Sequence, residues 1–349
     1  MIARHFRLAL TAIAATVFAT QAAATPLSSQ QILHEFNAVV LADMQSQSHV
    51  DGRTWVGGKV TGGDYAQHAN DMPASTYAGL TVMGNAGEVK VNAGGAVIGG
   101  NLSGASINTG SAVIYGDVSN SNLNGAAWVG GSLKGSNTNG GRLPSRDGAM
   151  QAKADAAHST DFAAQLGALS TSLAQMSGTG SSVTFNGYGK ATFNAVANAN
   201  GVAVFNLFDA GVFKASEFEF HLGNATTVIL NASDVNATIG ANFLGGSAQT
   251  LGSKLIWNFQ NATSITTNAQ FGGTILAPSA RLTNNQNIEG GVFVRSLDQH
   301  GELHLQAFDG NVDPGPSRVP VPEPGTWALL AAGALMLALT RRRTSSPGV

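Results

Sequence analysis

Residues 96–134 read AVIGGNLSGASINTGSAVIYGDVSNSNLNGAAWVGGSLK. One phrase occurs three times: AVIGGNLS from Ala96, AVIYGDVS from Ala112 and AWVGGSLK from Ala127. TVMGNAGE from Thr81 aligns ahead of them, so the copies start at Thr81, Ala96, Ala112 and Ala127, an almost constant step. TWVGGKVT from Thr54 reads as an earlier copy beyond a less regular loop. Each copy supplies an apolar pair, a glycine, usually a polar residue, and then Leu or Val. Glycine permits tight turns and close backbone approach. The period is too short for a helical repeat and too regular for a sandwich. It fits one short coil of a β-solenoid, where each coil covers the face of the last. The expected fold class is all-β, a β-solenoid with coils of roughly 15–16 residues; a β-sandwich is the alternative. Val97, Val113 and Val129, with Ile98 and Ile114 beside them, should mark successive coils. The inward member of each pair can shift by one place between copies, because strand faces alternate.

The second half is less regular but similar in kind. TTVILNASDVNATIGANFLGG and SKLIWNFQNATSITTNAQFGGTILAPSARLTNNQNIEGGVFVRSL read as further coils. One segment breaks the pattern. Near residues 146–177 the chain is rich in Ala and poor in β-branched residues. Phe162, Leu166, Leu169, Leu173 and Met176 are spaced by four, three, four and three, which is one apolar face of a helix. A helix there should flank the solenoid and shield an apolar side.

The 349 residues include 44 Gly, only 11% charged residues and no Cys, so thiolate chemistry and disulfides are excluded. The start is basic (MIARHFR), then apolar (LALTAIAATVFAT), then offers Ala22 and Ala24 in an A-x-A pattern. That is a secretory signal over residues 1–24, cut after Ala24. The other end is VPEPGTWALLAAGALMLALTRRRTSSPGV. Trp327 to Thr340 would span about 21 Å as a helix, short of a ~30 Å hydrocarbon core. Arg341, Arg342 and Arg343 would stay on the cytoplasmic side and stop transfer, as the positive-inside rule prefers. Without these two ends the body carries 13 basic and 19 acidic residues, near −6. No basic stripe remains for nucleic acid.

Pro322-Glu323-Pro324, an apolar run and an arginine cluster resemble the PEP-CTERM sorting signal of Gram-negative exports. The resemblance implies an exosortase-type enzyme acting near the Pro-Glu-Pro motif, a transient inner-membrane anchor, and a body released to the cell surface. FNAVVLADMQSQSHVDGRTWVGGKV and the later blocks LIWNFQNATSITT, GGTILAPSARLT, IEGGVFVRSL and GELHLQAF resemble the choice-of-anchor A family over about residues 32–308. The GGTILAPSA…IEGGVFV portion also looks like ice-binding-type solenoids that pair a β-helix with a flanking helix. These resemblances imply a domain at 25–311, a Pro-rich linker at 312–324 and a membrane segment with its tail at 325–349. They imply an adhesive or structural protein of the surface or exopolysaccharide matrix. They supply no catalytic residues.

The residues themselves offer few sites. HGELH places His300, Glu302 and His304 on one face of a strand, where two imidazoles and a carboxylate converge only if the backbone bends. A polar face with Glu302 and His304 in hydrogen bonds is the plainer reading, so no metal and no cofactor is expected. HVDGR sets His49 beside Asp51 without a nucleophile, and Asp51-Gly52 reads as a turn. Asp309, Asn311 and Asp313 have calcium-loop spacing but Pro320 stands where the bidentate Glu is needed. Asp43, Asp64, Asp117, Asp147 and Asp234 are scattered, where a sugar-cleaving solenoid needs convergent acids. The function expected is therefore non-enzymatic: surface adhesion to polysaccharide or matrix, with ice or carbohydrate binding as the alternative and a lyase or hydrolase behind it. Thr263, Thr266 and Thr267 form the only dense threonine patch, which counts against ice.

Overall fold

The computed structural model describes residues 24–208 and 210–312. The first coil is Ala38–Val40, Met44–Ser46 and His49–Val50: three short strands at three sides, joined at corners. Five more coils follow, and each strand pairs in parallel with its counterpart one coil back. The parallel stack settles the choice against a sandwich. Two sides form one 19-stranded sheet and the third a nine-stranded one.

The register corrects the repeat alignment. Leu80, not Thr81, lies opposite Ala96, so the equivalent positions are Leu80, Ala96, Ala112 and Ala127. Val82, Ile98, Ile114 and Val129 stack inside the solenoid, while Thr81, Val97, Val113 and Trp128 point the other way. Val129 thus belongs with the isoleucines and not with Val97 and Val113. Glycines hold the corners because the backbones nearly touch: a Cβ on Gly116 would lie 2.7 Å from the carbonyl carbon of Gly100. Polar side chains close the same corner. Asn85 Oδ1 accepts from the Asn101 N–H (2.8 Å), Asn101 Oδ1 from Asp117 (2.8 Å) and Asp117 Oδ1 from Ser132 (2.7 Å).

After Asn137–Thr138 the chain leaves the coils. Helix α1 (Ser29–Glu35) precedes the first coil; α2 (Gly148–Ser159) and α3 (Phe162–Ala174) now run back along the outside. Asp147 and Asp161 cap them, accepting from the N–H groups of Met150 (2.8 Å) and Ala164 (3.0 Å). Helix α2 lays Met150, Ala154 and Ala157 on Val97 and Val113. Helix α3 lays Phe162, Leu166, Leu169 and Leu173 on Val39, Leu276 and Phe293, with all four under 2% exposed. The expected flanking helix is present and is the return connection.

From the far end the chain winds a second set of coils back toward the first. Its ladder along one side runs Phe205, Leu230, Trp257, Ile275 and Val292. Val292 then pairs with Ala38, so the last coil abuts the first and one stack forms from both halves. The ladder continues as Thr54, Leu80, Ala96, Ala112 and Ala127. Large residues hold this rank in the second half, and mostly alanines, with Thr54 and Leu80 among them, in the first. The reason is coil length. The steps from Phe205 to Leu230 and from Leu230 to Trp257 are far longer than the step from Ala96 to Ala112. The interior there is wider and takes aromatic side chains.

Three asparagines fasten helix α3 to the sheet. Asn206, Asn231 and Asn258 share one rank, and their amides donate to the carbonyls of Met176 (3.2 Å), Leu173 (2.7 Å) and Ser170 (2.9 Å). The apolar face of α3 does the larger work. Leu169→Ala should lower unfolding free energy by about 2–4 kcal/mol in a denaturant titration, because the leucine is fully buried.

Candidate functional site

The three sides of the solenoid differ. One is covered by α2 and α3. The second lies open. Its outward rank runs in register through Thr238, Thr266, Thr283, Asp298, Gln45, Thr61, Gly87, Ser103, Ser119 and Lys134. Their neighbours Ala237, Ile265, Leu282, Leu297, Met44, Val60, Ala86, Leu102 and Val118 point inward and are buried. Strand alternation therefore gives a continuous surface of small polar groups, repeating at the ~4.8 Å spacing of paired strands. Two shallow hollows lie on it. One, of about 490 Å³, has Asp43, Lys59, Arg281, Arg295 and Asp298 around it. The other, of about 610 Å³, has Asn85, Asn101, Asp117, Ser132 and Lys134. Arg281 Nη2 donates to Asp298 Oδ2 at 2.9 Å, so charge interrupts the threonine run after Thr283.

The third side carries a cluster of imidazoles and carboxylates. Glu302 precedes and His304 ends the strand Leu303–His304, which pairs with His49–Val50 of the first coil. His304 Nε2 lies 2.7 Å from Glu302 Oε2, and its Nδ1 lies 2.7 Å from Glu289 Oε1. Burial alone would lower the His304 pKa, but the hydrogen bonds to Glu302 and Glu289 outweigh it and raise it above the ordinary imidazole value. The hydrogen bond from His304 holds the Glu302 carboxyl below its usual range. His49 completes the group, with Nδ1 at 3.7 Å from Glu302 Oε1 and Nε2 at 3.5 Å from Asp51 Oδ1.

His300 is not part of it. The strand Val292–Gln299 ends before it, and Gly301 turns the corner tight against Gln286 and Asn287. His300 is left beside Asp298, Nε2 to Oδ1 at 3.4 Å. The shared strand face expected of His300, Glu302 and His304 does not form, because a corner separates the first from the other two. His49 takes the vacant place. The HVDGR stretch contained it, but no local signal ties residue 49 to residue 302. Asp51 is more than a turn residue: it is buried, and its Oδ2 accepts from the Leu305 N–H at 3.2 Å.

The scattered acids stay apart. Asp43 accepts from the Lys59 N–H, Asp64 pairs with Lys90, Asp117 with Ser132, and Asp147 caps α2. Ala22, Pro322, Glu323, Pro324, Arg341, Arg342 and Arg343 lie outside the described residues, as does Asp313. Ala24 is described but in no helix or strand. Among the described residues, no helix is long and apolar enough to cross a membrane.

Residues 29–305 match the family described as "Putative Ice-binding-like adhesive domain". The chain belongs to that family. Residues 320–343 match the PEP-CTERM protein-sorting motif. No curated protein matches the chain. Among solved structures, it is similar to an ice-binding protein from the Antarctic ascomycete Antarctomyces psychrotrophicus. Identity is 16%, covering 81% of this chain and 99% of that one, with a TM-score of 0.22. At that score the likeness carries no argument; the fold rests on the strand register.

Proposed function

We propose that this adhesive-domain protein is exported to the cell surface and binds surface polysaccharide or matrix through its open side. The observation that supports this most is the unbroken outward rank from Thr238 to Lys134. Hydroxyls, amides and a few charges repeated along a flat surface suit a long hydroxylated polymer, which gains affinity from many weak contacts in series. The two hollows have room for sugar rings. Asp43, Asp64, Asp117 and Asp147 are each engaged at separate places, so we assign no acid–base cleavage to them. Ice is a second reading, favoured by Thr238, Thr266 and Thr283 in one rank. The Arg281–Asp298 pair and Lys134 in the same surface favour the polymer.

Bulky replacements on this side test the reading. Thr61→Trp with Ser103→Trp should reduce co-sedimentation with the host's exopolysaccharide at least about tenfold and leave thermal unfolding nearly unchanged, since both sites are exposed. Unaltered co-sedimentation would place adhesion elsewhere. Inhibition of ice recrystallisation by the unaltered protein, lost in the double variant, would favour ice.

The sorting motif supports processing by an exosortase. We further propose the finer arrangement: a signal over 1–24, a transient inner-membrane hold by 325–349 with Arg341, Arg342 and Arg343 inside, and cutting near Pro322-Glu323-Pro324. The choice-of-anchor A resemblance over 32–308 fits one exported domain joined to an exchangeable anchor. The mature surface protein should lack residues 341–349. Mass spectrometry of the native surface fraction decides this, and an intact end at Val349 would leave a plain membrane anchor instead.

A further inference from the structure

The cluster on the third side is built symmetrically about one carboxylate. His49 presents Nδ1 to Glu302 Oε1, and His304 presents Nε2 to Glu302 Oε2. Each imidazole has a carboxylate behind it on its other nitrogen: Asp51 for His49 and Glu289 for His304. Those two rear carboxylates are buried, 4% and 1% exposed, while the three front groups are 26–38% exposed. Glu289, hydrogen-bonded to His304 Nδ1 at 2.7 Å, fixes that ring and aims its Nε2 forward, as metal-binding histidines require; Asp51 Oδ1 stands 3.5 Å behind His49 without a hydrogen bond.

Two further observations point to a cation. Glu289 Oε2 and Asp51 Oδ1 are buried with no hydrogen-bond partner. Among the described residues, the only ion-pair partners of Asp51, Glu289 and Glu302 are imidazoles: His49 and His68 for Asp51, His304 for Glu289, and His49 and His304 for Glu302. Buried negative charge of this kind is costly unless a positive charge compensates it. The front donor atoms of His49, Glu302 and His304 all lie within 4.8 Å of one another. Tetrahedral donors at ~2.1 Å from an ion sit about 3.4 Å apart. Glu302 presents a different oxygen to each ring, Oε2 at 2.7 Å from His304 Nε2 and Oε1 at 3.7 Å from His49 Nδ1.

We propose that His49, Glu302 and His304 bind one divalent cation of the zinc type. Two imidazole nitrogens and one carboxylate oxygen suit zinc, where calcium and magnesium prefer oxygen donors alone. The exposed side of the cluster leaves the fourth position to water. The ion would join His49 of the first coil to Glu302 and His304 of the last. Its place is the seam at which Val50 pairs with Leu303. It therefore acts as a staple on the closure of the stack.

The test uses the full exported protein, stripped with a chelator and titrated with zinc chloride. We expect about one zinc per chain after desalting, by elemental mass spectrometry, and a rise in melting temperature that the chelator reverses. Calcium at the same concentration should produce neither. His49→Gln and Glu302→Gln, both at partly exposed positions, should weaken zinc binding at least about tenfold with unchanged circular dichroism. Glu289→Gln should weaken it by about 10–100-fold by removing the negative charge behind the His304 ring. His300→Gln should bind like the unaltered chain. Substoichiometric zinc, equal binding of calcium, or unchanged affinity in the folded His49→Gln and Glu302→Gln variants would each overturn the proposal.

Discussion

Trp257→Ala is expected to destabilise the protein by about 3–5 kcal/mol. The indole is fully buried. Phe193, Phe213, Phe218, Phe220 and Phe271 all lie within 6.2 Å of it, centroid to centroid. Its Nε1 donates to the Gly272 carbonyl at 3.0 Å, so truncation also leaves a buried acceptor without that donor. The wide coils of the second half cannot collapse onto the gap, because their backbone is fixed by pairing on both sides. A urea titration of the variant should show the midpoint drop with little change in slope. A loss below about 1 kcal/mol would mean that the aromatic interior repacks freely.

Phe162→Ala should cost about as much, again about 3–5 kcal/mol, for a different reason. Phe162 opens helix α3 and packs on Phe36, Trp55 and Tyr77, with centroids 4.5–5.8 Å away. Phe36 ends helix α1 and Trp55 belongs to the second coil. One ring thus joins three parts of the chain that meet where the two halves abut. Its loss should loosen α3 as well as the core. Hydrogen exchange of residues 162–174 should speed up more than exchange in the coils around Trp257. Uniform acceleration in both regions would show that the helix is not a separate unit.

The coils of the first half are legible because each repeats the same inward residue after a nearly constant step. Ala96, Ala112 and Ala127 announce one another. The one-place shift at Thr81 arises where the copy begins with Leu80, and hydrophobicity alone ranks both placements alike. The flanking helix is legible from the spacing of Phe162, Leu166, Leu169 and Leu173. The order of the stack is not. Nothing in Val292–Val294 or Ala38–Val40 distinguishes a partner one coil away from one at the opposite end of the described chain. The His49–Glu302–His304 group is hidden for the same reason: His49 meets Glu302 and His304 only through that closure, where Val50 pairs with Leu303. The open rank of threonines is hidden too, since Thr238, Thr266 and Thr283 stand at long and unequal intervals and align only through register.

That closure has a consequence for a chain that crosses a membrane amino end first. Residues 38–138 emerge early and can wind, yet one edge of their first coil has no neighbour. Its partner, Val292–Gln299, comes almost at the end of the described chain. Until then the strands Ala38–Val40 and Met44–Ser46 offer unpaired N–H and C=O groups to any passing strand. Completion is therefore reported by a single late event. A chain cut short anywhere before residue 292 keeps an adhesive edge that a finished molecule has covered, and proteases and chaperones outside the cytoplasm have a ready mark by which to tell the two apart.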